Sequence, residues 1–160
     1  MEQSGLPPQE DKMLKENERN TDTSETSRAD WPAELQNEFE KDKFYGVVGS
    51  ILVSETDKLR VWHLHLPVGK RCRFHRHVLD YFWTAHNPGK ARGYYDDGRI
   101  VDVTHYQGET KHFTFGEGEY FVHSVENIGD TDLLFTTVEF LDSANRPLPI
   151  PDEVRLERVS

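Results

Sequence analysis

The stretch that decides the fold is Gly69-Lys-Arg-Cys-Arg-Phe-His75-Arg-His77-Val-Leu-Asp80-Tyr81. It lies inside a run, residues 71–85, that is rich in β-forming side chains and predicts a strand. Side chains two positions apart leave the same face of a strand, so His75 and His77 share a face there. That spacing is suitable for chelating a metal ion. An isolated pair of this kind also occurs on solvated strand faces, and the surrounding sequence has to decide between the two interpretations.

From Phe44 onward, the chain consists of short strand-like runs separated by turn residues. The Asp97-Gly98 pair predicts a two-residue hairpin turn. No internal repeat and no sustained helical period occur in this part of the sequence. We therefore predict an all-β sandwich or barrel. The predicted strands are 44–53, 59–66, 71–85, 91–95, 99–106, 110–115, 118–123 and 132–140.

The other histidines are different from this pair. His63 and His65 also stand two apart, but Leu64 and its apolar neighbours form the opposite face, so both imidazoles are expected to point to solvent or to the other sheet surface. Three further histidines lack a partner at chelating spacing, and we expect structural or solvated roles for them: His86, His105 and His112.

The first 30 residues have a different composition from the rest. They contain eight acids and four bases, and every aromatic residue lies beyond them. So few apolar side chains cannot offset the entropy of ordering the backbone, which predicts a disordered acidic tail over 1–30. A partner-binding arm is the alternative. Asp30-Trp31-Pro32 then predicts a short helix over 31–43, capped by Asp30, that straps the domain. The β-barrel is predicted over 44–145, with an extension over 146–160.

The overall charge limits the partners. The formal net charge is −10, which disfavours nucleic acid and anionic membrane surfaces. The sequence shows no apolar run long enough to span a membrane and no secretory leader, so the expected location is cytoplasmic. A single cysteine, Cys72, excludes an internal disulfide, and its parity is opposite to that of the histidine pair, which argues against a role as a metal ligand.

A third histidine with its own local pattern follows downstream, as His123-Ser-Val-Glu-Asn127. Together with Gly69, His75 and His77, this segment resembles the two sequence motifs of the cupin superfamily, whose fold is an RmlC-like jelly roll. The resemblance covers about residues 44–142. It is closest to small single-domain cupins that carry the string H-R-H-x-x-D-Y, a group that includes β-alanine degradation proteins.

The resemblance implies a metal site formed by His75, His77 and His123. The motif's usual glutamate is missing, because Tyr81 or Phe82 stands in its place. Asp80 is the nearest acid, and it would need a bulge to reach the metal. Three imidazoles bind Fe, Mn, Ni, Zn or Cu. Cupins with three histidines and no glutamate resemble Fe(II) dioxygenases, which favours Fe(II) and an O2-dependent oxidoreductase acting on a small organic acid.

Two further residues are candidates for direct roles. Tyr81 is in phase with the histidine pair and could donate a hydrogen bond to a bound ligand, as a catalytic acid; a core tyrosine is the alternative. Arg73 has the same parity as His75 and could pair with a substrate carboxylate, unless it forms ion pairs at the exposed strand end. The alternative function is a non-catalytic cupin that binds a small metabolite, and a metal-independent isomerase or epimerase is a weaker alternative. An open jelly roll leaves sheet edges that a second copy of the chain can cover, so a homodimer is a further expectation.

Overall fold

The computed structural model describes residues 23–24 and 27–156. The predicted acidic tail therefore lies outside the described residues over 1–22 and 25–26, as does the end of the C-terminal extension, 157–160. No helix in the described part of the chain is long and apolar enough to cross a membrane.

The N-terminal elements differ in detail from the sequence prediction. Residues Arg28–Asp30, assigned above to the tail, form a 3-10 turn, in which the Ser27 side chain accepts a hydrogen bond from the backbone and Asp30 bonds back to the Ser27 amide. Helix α1 follows over Ala33–Asp42, with Pro32 as its N-cap and no side-chain cap. The predicted capping of this helix by Asp30 is therefore wrong, because the Asp30 carboxylate is engaged one turn earlier.

Apart from connecting segments and a 3-10 turn at Asp152–Val154, the rest of the described chain is β-structure in two antiparallel sheets. The strands are β1 Thr23–Ser24, β2 Ile51–Glu55, β3 Leu59–Leu66, β4 His75–His77, β5 Tyr81–Ala85, β6 Gly89–Tyr95, β7 Ile100–His105, β8 Thr110–Phe113, β9 Phe121–Asn127 and β10 Leu133–Phe140. One sheet has the order β1-β7-β6-β9-β4 and the other β2-β3-β10-β5-β8. Strands β3 to β10 form the sets β3-β10-β5-β8 and β4-β9-β6-β7, which is the order of an eight-stranded jelly roll, the double-stranded β-helix. The predicted fold class is confirmed.

One predicted strand is wrong as a single element. The run 71–85 divides into β4 and β5, which belong to opposite sheets. The residues before β4 make one isolated bridge at Arg71 and otherwise follow an irregular path up to Phe74. Strand parity consequently does not carry from Arg73 to His75, nor from His77 across the loop to Tyr81.

Helix α1 covers the outer face of the first sheet. Trp31, just before the helix, is 4% exposed and stacks on Phe74 with ring centroids 5.5 Å apart. Phe39 from the helix packs edge-on against both rings, and Val122 of β9 completes this buried cluster. The helix thus packs against the two strands that carry the histidines, as the predicted strap would.

Two bidentate ion pairs attach the same helix to the segment before β4. The guanidinium of Arg71 donates to both carboxylate oxygens of Glu38, at 2.6 and 3.0 Å. Arg73 does the same to Asp42, at 2.9 and 3.2 Å. Glu38 and Asp42 are one helical turn apart, which matches the two-residue spacing of the arginines. The start of β4 is therefore held by the helix as well as by its neighbouring strand.

Replacing Trp31 tests how much the packing of α1 against the sheet contributes to the free energy of unfolding. Trp31→Ala leaves a cavity between α1 and the sheet and should lower the free energy of unfolding by about 3–5 kcal/mol. Tyr106→Ala is the control, because Tyr106 is 65% exposed and its truncation should cost less than about 1 kcal/mol. Urea unfolding followed by fluorescence measures both. Equal losses in the two variants would contradict the packing described here.

Candidate metal centre

Three imidazoles converge inside the barrel. Strands β4 and β9 pair so that His75 lies directly opposite His123, and His77 lies opposite Phe121. One nitrogen of each ring lies within 4.8 Å of a nitrogen of the other two. His75 and His77 are buried and His123 is partly buried. The structure therefore brings together the three residues that the two sequence motifs single out.

One of these rings has its orientation and tautomer set by the backbone. His75 donates its Nδ1–H to the carbonyl oxygen of Arg73, at 2.8 Å. A neutral imidazole that donates through Nδ1 keeps its lone pair on Nε2. A hydrogen bond of this kind to a backbone carbonyl is the usual way in which proteins aim a histidine at a metal ion.

The spacing of the other two rings suits a common metal ion. Nε2 of His77 and Nε2 of His123 are 3.2 Å apart. Two nitrogens bound about 2.0–2.1 Å from one ion at angles between 90° and tetrahedral would be about 2.9–3.4 Å apart. Nδ1 of His123 is buried and has no hydrogen-bond partner in the described part of the chain. The three rings thus fit a divalent transition metal.

Burial keeps these imidazoles in the form that binds metal. Loss of solvation lowers the pKa of His75 to about 4, although the bond to the Arg73 carbonyl opposes the shift. Loss of solvation, followed by the nearby His75 and Arg99, holds the pKa of His123 well below its usual value. Both rings are therefore neutral at pH 7, and no proton has to leave them before a metal binds.

Tyr81 lies against the site from the opposite sheet. Its ring is buried and stacks face to face on His77, with centroids 4.1 Å apart and planes at 13°. On its other side it stacks on Phe113, at 4.7 Å. The tyrosine is adjacent to one of the three candidate ligand rings, and it reaches this place across the barrel rather than along one strand.

Asp80 does not complete the site. Its carboxylate accepts a hydrogen bond from the backbone amide of Phe115, at 2.9 Å, and its own amide donates to the Ser143 hydroxyl. The metal-binding cluster in the described residues contains three histidines and no carboxylate. The alternative in which a bulge turns Asp80 toward the histidines is therefore not adopted.

Arg73 does not point into the barrel as predicted. Its guanidinium forms the ion pair with Asp42, lies 3.6 Å from the centre of the Tyr45 ring and is about half exposed. It is absent from the lining of the cavity that contains all three histidines, although it lines a separate pocket together with His75. The expected direction was wrong because residues 72–74 are not a regular strand, so the alternation of side chains breaks down before His75.

A narrow cavity of about 80 Å³ begins at the three imidazoles. Trp83 and Phe121 form part of its wall. Three polar residues of the wall were not predicted as site residues: Tyr95, His105 and Thr137. Tyr95 of β6 lies opposite His123 of β9, and His105 is at the end of β7. The sequence feature that could have singled out His105 is Glu109, four residues later and across a turn, because it can pair with the imidazole.

The remaining candidates lie outside the site. His63 and His65 are exposed on β3, in agreement with the prediction. His86 bonds to Thr136 on the surface, and His112 is exposed. Burial raises the pKa of the Cys72 thiol to about 11, so the thiol is protonated at pH 7. Cys72 is not part of the metal-binding cluster.

The motif residues around the histidines have structural roles. Gly69 adopts a positive φ of 82° in the turn before β4, a conformation that favours glycine. The amide of the buried Asn127 donates to the carbonyls of Leu66 and Thr131, at 2.9 and 2.8 Å, while its oxygen accepts from Gly129. These bonds close the turn after β9, which carries His123.

Comparison with solved structures places proteins of similar architecture beside this chain. A cupin domain from Bordetella pertussis is 21% identical, with a TM-score of 0.48 over 59% of this chain and 98% of that one. A protein with a double-stranded β-helix domain from Klebsiella pneumoniae is 23% identical, with a TM-score of 0.47 over 59% and 76%. A predicted oxalate decarboxylase from Thermotoga maritima is 22% identical, with a TM-score of 0.36 over 51% and 79%.

No protein-family model matches this sequence, and no curated protein matches it.

The buried imidazoles predict how stability depends on pH. The pKa of His75 is about 4 in the folded chain and near 6.5 when unfolded. Between these values the unfolded chain binds a proton that the folded chain does not, so acidification favours unfolding. The free energy of unfolding of the metal-free protein should fall as the pH decreases from about 6.5 to about 4.

A pair of variants isolates this effect. His75→Gln removes a titrating group and should flatten the pH dependence, whereas His63→Gln, at an exposed position, should leave it unchanged. Urea unfolding in the presence of a chelator, repeated across this pH range, measures the slope. A slope that is the same in wild type and His75→Gln would contradict the assignment of the buried titration.

Proposed function

We propose that this chain is a metal-binding cupin that holds one divalent transition metal ion at His75, His77 and His123. The observation that supports this most strongly is the convergence of three ring nitrogens beside a cavity. The resemblance of the surrounding sequence to the two cupin motifs and the jelly-roll order of the strands agree with it. Imidazole ligands suit Fe, Mn, Ni, Zn and Cu, and we propose Fe(II) on the strength of the resemblance.

We further propose an O2-dependent, dioxygenase-like oxidoreductase that acts on a small organic acid. A metal held by three protein ligands would keep open positions for substrate and O2 together. Without a carboxylate among the ligands the site keeps the full charge of the ion, which favours an anionic substrate head. The narrow cavity favours a small substrate over a sugar nucleotide. A non-catalytic metabolite-binding protein is the alternative, and the oxygen-uptake experiment below separates the two.

Within this proposal the surrounding residues have distinct tasks. The Arg73 carbonyl orients His75, and the ring of Tyr81 supports His77 by stacking. Phe113 and Phe121 pack around Tyr81 and His77 and exclude water from this side of the site. We propose that the Tyr81 hydroxyl is the proton donor to the bound substrate.

Metal content tests the proposal directly. Full-length protein loaded with Fe(II) under argon and then desalted should retain about one ion per chain, measured by elemental analysis. His75→Ala removes one of three ligands and should reduce retention to below about one tenth. His63→Ala is the matched control and should retain metal like the wild type. Absence of metal from the wild type, or equal losses in both variants, would overturn the proposal.

Oxygen uptake tests the reaction and the role of Tyr81. With Fe(II)-loaded protein and a panel of keto acids, diketones and thiols, an oxygen electrode should record turnover with at least one compound. Tyr81→Phe removes the hydroxyl and keeps the stacked ring, so metal retention should be unchanged while turnover falls by about 100-fold or more. Full turnover in Tyr81→Phe would rule out the proton-donor role, and metal retention without any oxygen uptake would favour the non-catalytic alternative.

A further inference from the structure

A histidine–carboxylate pair lies in the wall of the same cavity, apart from the three proposed ligands. His105 is the last residue of β7, and its side chain is 7% exposed. Val101, Val103 and His105 alternate along β7 and all line the cavity, so the imidazole faces the barrel interior. Trp83 and Phe135 meet its ring edge-on, at 5.2 and 5.1 Å. The ring is therefore held in an apolar setting at a defined angle.

Glu109 determines which nitrogen of this ring carries a proton. Its carboxylate lies 2.9 Å from Nδ1 of His105. Partial burial alone would raise the pKa of Glu109, but the hydrogen bond with His105 and the nearby Lys111 hold it below the usual value. An ionised carboxylate can only accept, so Nδ1 carries a proton and Nε2 is the ring nitrogen left for another partner. None of the bonds in the described residues engages that Nε2 atom.

The local turn accounts for only part of this pair. The Glu109 carboxylate accepts a hydrogen bond from the Tyr106 amide, at 3.4 Å. The turn after β7 is also closed by backbone bonds, from the amide of Glu109 to the Tyr106 carbonyl and between Ala85 and both Gly108 and Glu109. Placing an imidazole in an apolar wall costs free energy that an aliphatic side chain would not. A buried polar group facing a cavity, with its partner on the far side, is the arrangement expected of a ligand-binding residue.

The pair lies far enough from the three imidazoles to contact the other end of a ligand. His123 is opposite Tyr95 on β6, whereas His105 is opposite Gly89, six residues earlier on the same strand. On β5, Tyr81 stacks on His77 and Trp83 contacts His105. These two β5 residues are one rung apart, about 7 Å along the strand. The wall between the two ends is mainly apolar.

We infer that His105, oriented by Glu109, is the second anchor of this cavity and forms a hydrogen bond with the far end of the substrate. This inference rests on the proposed function, since it assumes that the other end binds the metal. The substrate class that fits has three parts: an oxygen-donor head that chelates metal, a narrow chain of several carbons, and a terminal hydroxyl, which can donate or accept a hydrogen bond.

Matched ligand probes test the inference. Alkyl hydroxamic acids chelate metal through two oxygens, and they can be made with chains of about two to about eight carbons that end in either a methyl or a hydroxyl group. Affinities are measured by calorimetry on the full chain loaded with Zn²⁺. In the wild type, at one chain length, the hydroxyl-terminated probe should bind about tenfold more tightly than the methyl-terminated probe of the same length.

Variants assign that preference to the pair. His105→Phe keeps the aromatic packing, and it should abolish the preference for the hydroxyl without weakening the methyl-terminated probe. Glu109→Gln should reduce the preference, because the amide cannot hold the ring with an ionic hydrogen bond. His112→Phe, at an exposed position on the outer surface, should behave as the wild type. A difference between two probes on one protein is insensitive to a general loss of stability.

The outcomes separate the two proposals. If the wild type does not retain metal, the proposed function fails. If metal is retained but no hydroxamate binds, or if the preference for a hydroxyl end is absent or persists in His105→Phe, the metal site stands and the anchor is overturned.

Discussion

The pairing of β4 with β9 is the constraint on which the rest of the site depends. Strand β4 is three residues long, and its register against β9 sets His75 opposite His123 and directs both rings inward. A slip of one residue would turn His75 and His77 toward the helix side of the sheet. So short a strand cannot specify its own register, and the ion pairs of the preceding segment with α1, together with the packing of Trp31, hold it in place.

Burial has opposite effects on stability and on the proposed function. Enclosing three imidazoles among Tyr81, Phe113 and Phe121 lowers the pKa of His75 and His123 and makes the metal-free fold sensitive to acid. The same enclosure keeps the lone pairs available and excludes competing water. Groups with strongly shifted pKa values that also converge in a cavity are typical of functional sites rather than of structural cores. A metal that binds only to the folded state would offset this loss of free energy.

Much of this arrangement is readable in the order of residues. The alternation of short β-forming runs with turns predicts the all-β class, and the resemblance of the segments around His75, His77 and His123 to two cupin motifs implies the ligand set. Arg73 shows where strand alternation no longer predicts the direction of a side chain. Alternation along one strand places Arg73 on the same face as His75, but the structure interrupts that strand at residues 72–74. The interruption depends on contacts with α1, which are remote in sequence.

The sequence by itself determined the all-β class, because local periodicity encodes it, and it singled out the three histidines through the resemblance of their surroundings to two cupin motifs. The tertiary structure alone decided what surrounds them. Tyr81 reaches His77 from the opposite sheet, and Asp80 turns to the Phe115 backbone instead. His105 has no partner at chelating spacing in the sequence, yet β7 directs it into the same cavity. Which side chains share a cavity depends on how two sheets close over each other, and that closure is set by packing between residues far apart in the chain.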